Sequence, residues 1–164
     1  MHLYWRFARG LTLGVRAVVL DSGGRVFLIK HSYTNGWHLP GGGVEAGETL
    51  LDALVRELAE EGNIELTGPP LLHGVFFHPL YSKRDHVTIY VVRDFRQTSE
   101  PKPNREIAAH GFFAPDALPA DTTSDTRARI AEVLGSFRSR ASAAGPGAPT
   151  GTAKSPATAR ALRR

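Results

Sequence analysis

Residues 40–43 read Pro-Gly-Gly-Gly, and the clearest helical segment of the chain, Leu50 to Glu61, follows directly. Four residues of that kind neither continue a strand nor start a helix, so the chain must pass through an irregular loop first. Thr49 is a candidate N-cap, and Asp52 three residues on makes an approximate capping box. Gly62-Asn63 supplies the stop, because asparagine tolerates the left-handed backbone of a helix end. At ~100° per residue, Leu51, Val55, Leu58 and Gly62 fall on one face, which is expected to pack on a sheet.

The other face carries charge. With Glu57 set at 0°, Glu60 lies near −60° and Glu61 near +40°, by the ~100° helical step. Like charges at these spacings destabilise a helix by a few tenths of a kcal/mol per pair, and the last turn already disfavours anions. Two local rules broken together point to a functional site. A bound divalent cation would remove both penalties, and hard carboxylate oxygens suit Mg²⁺ or Mn²⁺. The competing reading is a solvated acidic face, since glutamate is a good helix former. The glycine loop favours the metal: Gly42 and Gly43 let backbone approach a ligand, and carbonyls there can complete a metal shell. Glu48 precedes Arg56 by eight residues, so a contact between them would tie loop to helix.

Around this unit the chain reads as strands and one further helix. Thr12–Asp21 and Val26–His31 flank the turn signal Asp21-Ser22-Gly23-Gly24, which predicts a hairpin. Leu71–Phe77, His86–Arg93 and Ile107–Ala114 read as strands, and Gln97–Arg105 as a polar loop with two prolines. Thr126–Phe137 has helical spacing, with Ile130, Val133, Leu134 and Phe137 as its apolar stripe. A mixed sheet with one helix from mid-chain and one from the end predicts a three-layer α/β/α sandwich. Residues 1–138 form the expected single domain. From Ser139 onward the sequence is reduced mainly to Ala, Gly, Pro, Ser, Thr and Arg, and 139–164 is expected to be a disordered tail.

Composition removes several classes of function. The chain has 164 residues, enough for one core, and no cysteine, so disulfides, thiolate metal sites and cysteine nucleophiles are excluded. No apolar run approaches the ~20 residues of a membrane span, and the N-terminus lacks a secretory apolar stretch. No membrane partner is expected, and cytoplasmic residence is the default expectation. The histidines show no zinc-like spacing. The net charge of +4 comes from the end of the chain: six basic residues and no acidic one follow Glu132, so residues 1–132 carry −2. Nucleic acid is therefore not the expected partner, and a solvated tail is the simpler reading.

Gly42, Glu48 and Arg56-Glu57-Leu58-Ala59-Glu60-Glu61, closed by Ile64, resemble the Nudix box. That box reads Gly, five residues, Glu, seven residues, Arg-Glu-aliphatic-x-Glu-Glu-x-Gly-aliphatic. Asn63 stands in place of the last Gly, a substitution the left-handed helix end tolerates. The strand order from about Thr12 to Phe137 is similar to the Nudix-type fold. The resemblance implies a Mg²⁺-dependent hydrolase of diphosphate bonds with a small-molecule nucleotide substrate. It implies Glu57 and Glu61 as leading metal ligands, Glu60 close behind, and the Gly42 carbonyl as a further ligand. Arg56 and Glu48 take the place of the orienting pair. Family members often take their general base from a loop near the last strand, where Glu106 is the candidate and Glu100 the competitor.

Substrate choice lies outside the box. Candidate contacts are Arg16, Trp37, His38, Gly42, Gly43 and Phe77, with Tyr33, Phe76, His78 and Tyr81 as other rings and Lys30, Lys83 and Arg84 as other cations. Aromatic residues of this kind serve as core or rim more often than as base platforms. Family members that split ADP-ribose tend to carry a proline some fifteen residues past the box, where Pro79 stands. The resemblance thus favours a nucleoside diphosphate linked to a second group, of the ADP-ribose or nucleotide-sugar type. A nucleoside triphosphate pyrophosphohydrolase is the alternative, followed by an RNA-end hydrolase and a non-cleaving nucleotide sensor; the intact box carboxylates argue against the last. Leu3-Tyr4-Trp5 with Phe7 is apolar enough for a homodimer contact, or for packing on its own sheet.

Overall fold

Two strands near the N-terminus are apolar on both faces, and this dictates the layering. In the computed structural model, which describes residues 11–78, 83–101 and 105–143, β1 spans Thr12–Val19 and β2 spans Val26–His31. Val15, Ala17 and Val19 of β1 join Phe27 and Ile29 of β2 in one buried cluster. Val18 of β1 and Leu20 just beyond it join Val26 and Leu28 of β2 in a second cluster. Successive side chains of a strand point to opposite faces, so each strand feeds both cores. Such strands need cover on both sides. The helix α1, Leu50–Gly62, supplies it on the first side with Ala53, Leu54 and Leu58. The helix α2, Ser124–Ala143, supplies it on the second with Ile130 and Val133. The α/β/α sandwich expected from the sequence is the architecture observed.

Five further strands complete it: β3 (Ile64–Leu66), β4 (Leu71–Phe77), β5 (Asp85–Val92), β6 (Phe95–Gln97) and β7 (Ile107–Phe113). The central sheet is mixed, in the order β1-β5-β4, with β1 parallel and β4 antiparallel to β5. β2 pairs antiparallel with β7, and β3 with β6.

The expected hairpin of β1 and β2 is corrected. The turn exists: the Asp21 carboxylate accepts from the Gly23 and Arg25 backbone N–H at 3.0 and 2.8 Å. Past the isolated Leu20–Val26 bridge, however, the two strands part into separate sheets, because β1 finds its ladder on β5 and β2 on β7. The short strands β3 and β6 were not expected; three residues each carry too little periodicity to read.

The packing face of α1 is also corrected. Leu51 and Val55 are 45% and 44% exposed, while Ala53, Leu54, Leu58, Glu61 and Gly62 are buried. The buried arc is turned by roughly 60° from the expected one, by the helical step. That turn places Leu54 in the core and swings Glu61 under the glycine loop. The helix ends are as expected. Thr49 Oγ1 accepts from the Asp52 N–H at 3.1 Å, and Asp52 Oδ2 accepts from the Thr49 N–H at 3.0 Å. Asn63 closes the helix at φ 49°, ψ 36°, and its amide also donates to Ser99 Oγ at 2.9 Å. α2 runs to Ala143, past the expected Phe137. Leu3 to Phe7, Pro79, Tyr81 and residues 144–164 lie outside the described residues.

Candidate active site

The site forms where the glycine loop crosses the buried side of α1. The loop is pinned to β1 by backbone: Ala17 N–H donates to Pro40 O at 3.0 Å and Val15 N–H to Gly42 O at 2.9 Å. Gly41 sits at φ 133°, and a Cβ there would lie 2.1 Å from Val15 O, so no side chain fits. A Cβ on Gly42 would lie 2.1 Å from Glu57 Oε1. The Glu57 carboxylate thus rests directly on Gly42.

Glu61 approaches the same dipeptide from one turn further along. Its Oε2 accepts from the Gly41 N–H at 2.6 Å, and its side chain is buried. Burial pushes its pKa up to about 8; the Gly41 hydrogen bond and Arg16 pull the other way, while Glu57 and Glu106 raise it further. His31 Nε2 is 3.7 Å from Glu61 Oε1, and burial together with Arg16 and His38 holds its pKa below the ordinary value.

Arg56 organises the rim. Its Nε and Nη2 grip Glu48 in a fork at 2.7 and 3.0 Å, Nη2 also donates to Gly43 O at 3.0 Å, and Nη1 donates to Glu57 Oε1 at 2.8 Å. The loop-to-helix tie expected from the Glu48–Arg56 spacing is present, and bidentate pairs of this kind fix geometry. Hydrogen bonds from Arg56 and the Glu45 N–H lower the Glu48 pKa to about 2.

The expected residues are brought together unevenly. Glu57 and Glu61 meet the Gly41–Gly42 backbone. Glu60 does not: its side chain is 61% exposed and 3.7 Å from Arg56 Nη1. Among the described residues no three His, Asp or Glu side chains stand close enough to make a ready-formed metal cluster. The donor chemistry nevertheless suits a hard divalent cation. Two carboxylates meet at Gly41–Gly42, Glu57 against the Gly42 α-carbon and Glu61 on the Gly41 N–H, while the Gly42 carbonyl itself accepts from the Val15 N–H. Glu106 lies at the mouth of β7, its carbonyl accepting from the Ser32 N–H at 2.8 Å.

A cavity of about 440 Å³ opens beside Gly42 and Gly43. Arg16, His38 and Phe77 line it as expected, together with Phe76 and His78. Arg16 Nη1 is buried and finds no hydrogen-bond partner among the described residues. Trp37 is not in the lining: its ring meets Phe113 edge-on at 4.9 Å and packs against the second core. The Tyr33 ring lies tilted against His31, at 5.0 Å between centroids, outside the cavity. The far wall was missed by sequence reasoning. Asp125, Thr126 and Arg129 come from the first turns of α2, whose apolar stripe drew attention to its opposite side. The only sequence signal was the charged pair at i,i+4 flanking that stripe.

The fold, the carboxylate-bearing helix and the glycine loop define an α/β/α domain with an acidic helix seated against a glycine loop. The NUDIX domain family matches residues 10–134, and the chain belongs to that family. It is 35% identical over 107 residues to the m7GpppN-mRNA hydrolase NUDT17 of Danio rerio, covering 56% of this chain and 35% of that protein. Over 52 residues it is 44% identical to the RNA pyrophosphohydrolase of Halorhodospira halophila, covering 32% of this chain and 29% of that one. The chain spans about a third of the length of these curated relatives. Among solved structures, the MutT NUDIX hydrolase from Burkholderia pseudomallei superposes with a TM-score of 0.65 at 30% identity, covering 76% of this chain and 98% of that one. No helix among the described residues is long and apolar enough to cross a membrane.

Proposed function

We propose that the protein is a divalent-metal-dependent diphosphatase. Its substrate is a nucleoside diphosphate joined to a second group, as in ADP-ribose or a nucleotide sugar, and its products are a nucleoside monophosphate and a phosphorylated partner. The observation that carries this reading is the seating of Glu57 on Gly42, itself part of the lining of a cavity large enough for a nucleoside.

In this reading Glu57, Glu61 and the Gly42 carbonyl hold Mg²⁺ or Mn²⁺, with Glu60 as an outer contributor. Bound there, the ion would supply charge neutralisation on the diphosphate oxygens and acidify the attacking water. Arg56, fixed by Glu48, keeps Glu57 on the loop. Arg16, whose Nη1 lacks a partner among the described residues, meets the phosphates at the cavity floor. Glu106 is the general base, supported over Glu100 by its electrostatic reach to Glu61.

A second reading differs only in the leaving group. Two relatives are named as an mRNA hydrolase and an RNA pyrophosphohydrolase, so an RNA 5′ end could take the second group's place. A phosphate-release screen, coupled to a phosphatase where needed, tests both. It pits ADP-ribose and nucleoside diphosphate sugars against dinucleoside polyphosphates, triphosphates and a 5′-triphosphorylated RNA, with and without Mg²⁺. Turnover of the nucleoside diphosphate derivatives supports the lead. Turnover of triphosphates or RNA alone would replace it, and Mg²⁺-independent turnover would sink the class.

A further inference from the structure

The cavity has two chemically different ends. Arg16 and the glycine loop make one, beside the carboxylates of α1. The other is built by the first turns of α2, with Asp125 and Arg129 one turn apart on the same helix and both in the lining. Residues at i,i+4 are neighbours on a helix surface. Leu13, Val87 and Ile89 add apolar lining to the same cavity.

Arg129 is held rigidly. Its guanidinium carbon lies 3.8 Å over the Phe76 ring, and Nη2 donates to Glu132 Oε1 at 2.7 Å. No other hydrogen bond is made by this group among the described residues, and its Nε is buried without a partner. A guanidinium has five N–H donors, so a planar fork remains with capacity to spare. The cavity also contains two carboxylates. Asp85 is engaged on both oxygens, accepting from Thr12 Oγ1 at 2.9 Å and facing His78 Nδ1 at 3.4 Å. Among the described residues Asp125 faces only His78 Nε2, at 3.9 Å, and keeps its acceptors.

A carboxylate accepts from two adjacent N–H groups, and a guanidinium donates to two adjacent acceptors. Among the common bases only guanine offers both pairs, N1–H with the 2-amino group and O6 with N7. Adenine, which the ADP-ribose type would present, meets each fork with one mismatched atom. We propose that this end of the cavity binds the nucleobase and prefers guanine, with Asp125 accepting from N1–H and the 2-amino group and Arg129 donating to O6 and N7. Arg16 is then left for the phosphates. This assignment rests on the diphosphatase reading for the position of the phosphates, and within that reading it favours a guanine nucleotide sugar over ADP-ribose.

Equilibrium binding of GMP, IMP and AMP to the full chain, by calorimetry in Mg²⁺ buffer, tests it without requiring hydrolysis. IMP is guanine's counterpart without the 2-amino group. GMP is expected to bind about tenfold tighter than IMP, the scale of one charge-assisted hydrogen bond, and AMP weaker still. Asp125→Ala, at an exposed position, is expected to erase the GMP/IMP difference. Arg129→Lys keeps the charge and loses the fork, and should weaken GMP and IMP alike by about tenfold. AMP binding as tightly as GMP, or an unchanged GMP/IMP ratio in Asp125→Ala, overturns the proposal. Either result leaves hydrolysis of a diphosphate bond untouched, while absent hydrolysis with the expected binding order would fault the diphosphatase reading alone.

Discussion

Gly42 and Glu57 share one space: a single added carbon on Gly42 would stand 2.1 Å from the Glu57 carboxylate. The glutamate can reach the loop only because that carbon is absent, and Arg56 keeps it there at 2.8 Å. Gly42→Ala should therefore push Glu57 aside, cutting kcat by at least about 100-fold while shifting stability by no more than ~1–2 kcal/mol. Gly41→Ala is a different lesion, because its Cβ would meet backbone. It should unfold the loop and lower the melting temperature strongly. Parallel melting curves and initial rates separate the two.

Removing charge at the site should separate activity from stability. Glu57→Gln and Glu61→Gln are expected to abolish turnover and to leave the fold intact. Glu61 is buried among repelling carboxylates, so its neutral isostere should melt within about 2 °C of wild type, or above it, in a chelating buffer. Full activity in either variant would remove that residue from the metal set.

The Glu48–Arg56 tie sets an acid limit on the loop. The folded-state pKa of Glu48 lies near 2, below its ordinary value of 4.5. A depressed carboxylate contributes stability above its unfolded pKa and loses it as pH falls toward the folded value. The melting temperature should thus decline between about pH 4.5 and 2, by the linkage between pKa and folding. In Glu48→Gln this part of the decline should vanish, the variant starting lower at neutral pH. Superimposable pH profiles would show that the ion pair does not hold the loop.

The rotation of α1 makes a stability prediction with a built-in control. Leu54→Ala empties a fully buried position and should cost about 2–5 kcal/mol. Leu51→Ala, half exposed, should cost less than about 1 kcal/mol, apart from any gain in helix propensity. Equal costs in denaturant titrations would contradict the observed packing face.

What could be read from the sequence was local chemistry. The capping box at Thr49, the left-handed Asn63 and the Glu48–Arg56 tie each depend on a few neighbouring residues, and all three are in place. The rotation of α1 was not legible, because Leu51 and Leu54 offer equally good leucine stripes. The choice between them depends on where Glu61 meets Gly41, a contact made in three dimensions. The separation of β1 from β2 likewise rests on the partners β5 and β7, far along the chain. Trp37 shows the limit of proximity in sequence: three residues from the glycine loop, it turns into the opposite core against Phe113. Arg129 and Asp125 are not legible as site residues in the sequence, because only folding brings the start of α2 to the cavity.

The central claim is that Glu57 and Glu61, brought onto the glycine loop, hold the metal that supports diphosphate hydrolysis. ³¹P NMR of a nucleoside diphosphate sugar incubated with the full chain tests it most directly, comparing wild type with Glu57→Gln, in Mg²⁺ and in EDTA. The expected result is loss of the diphosphate signals and growth of two phosphomonoester signals, for the wild type in Mg²⁺ only. The same products from Glu57→Gln, or from the wild type in EDTA, would contradict the claim.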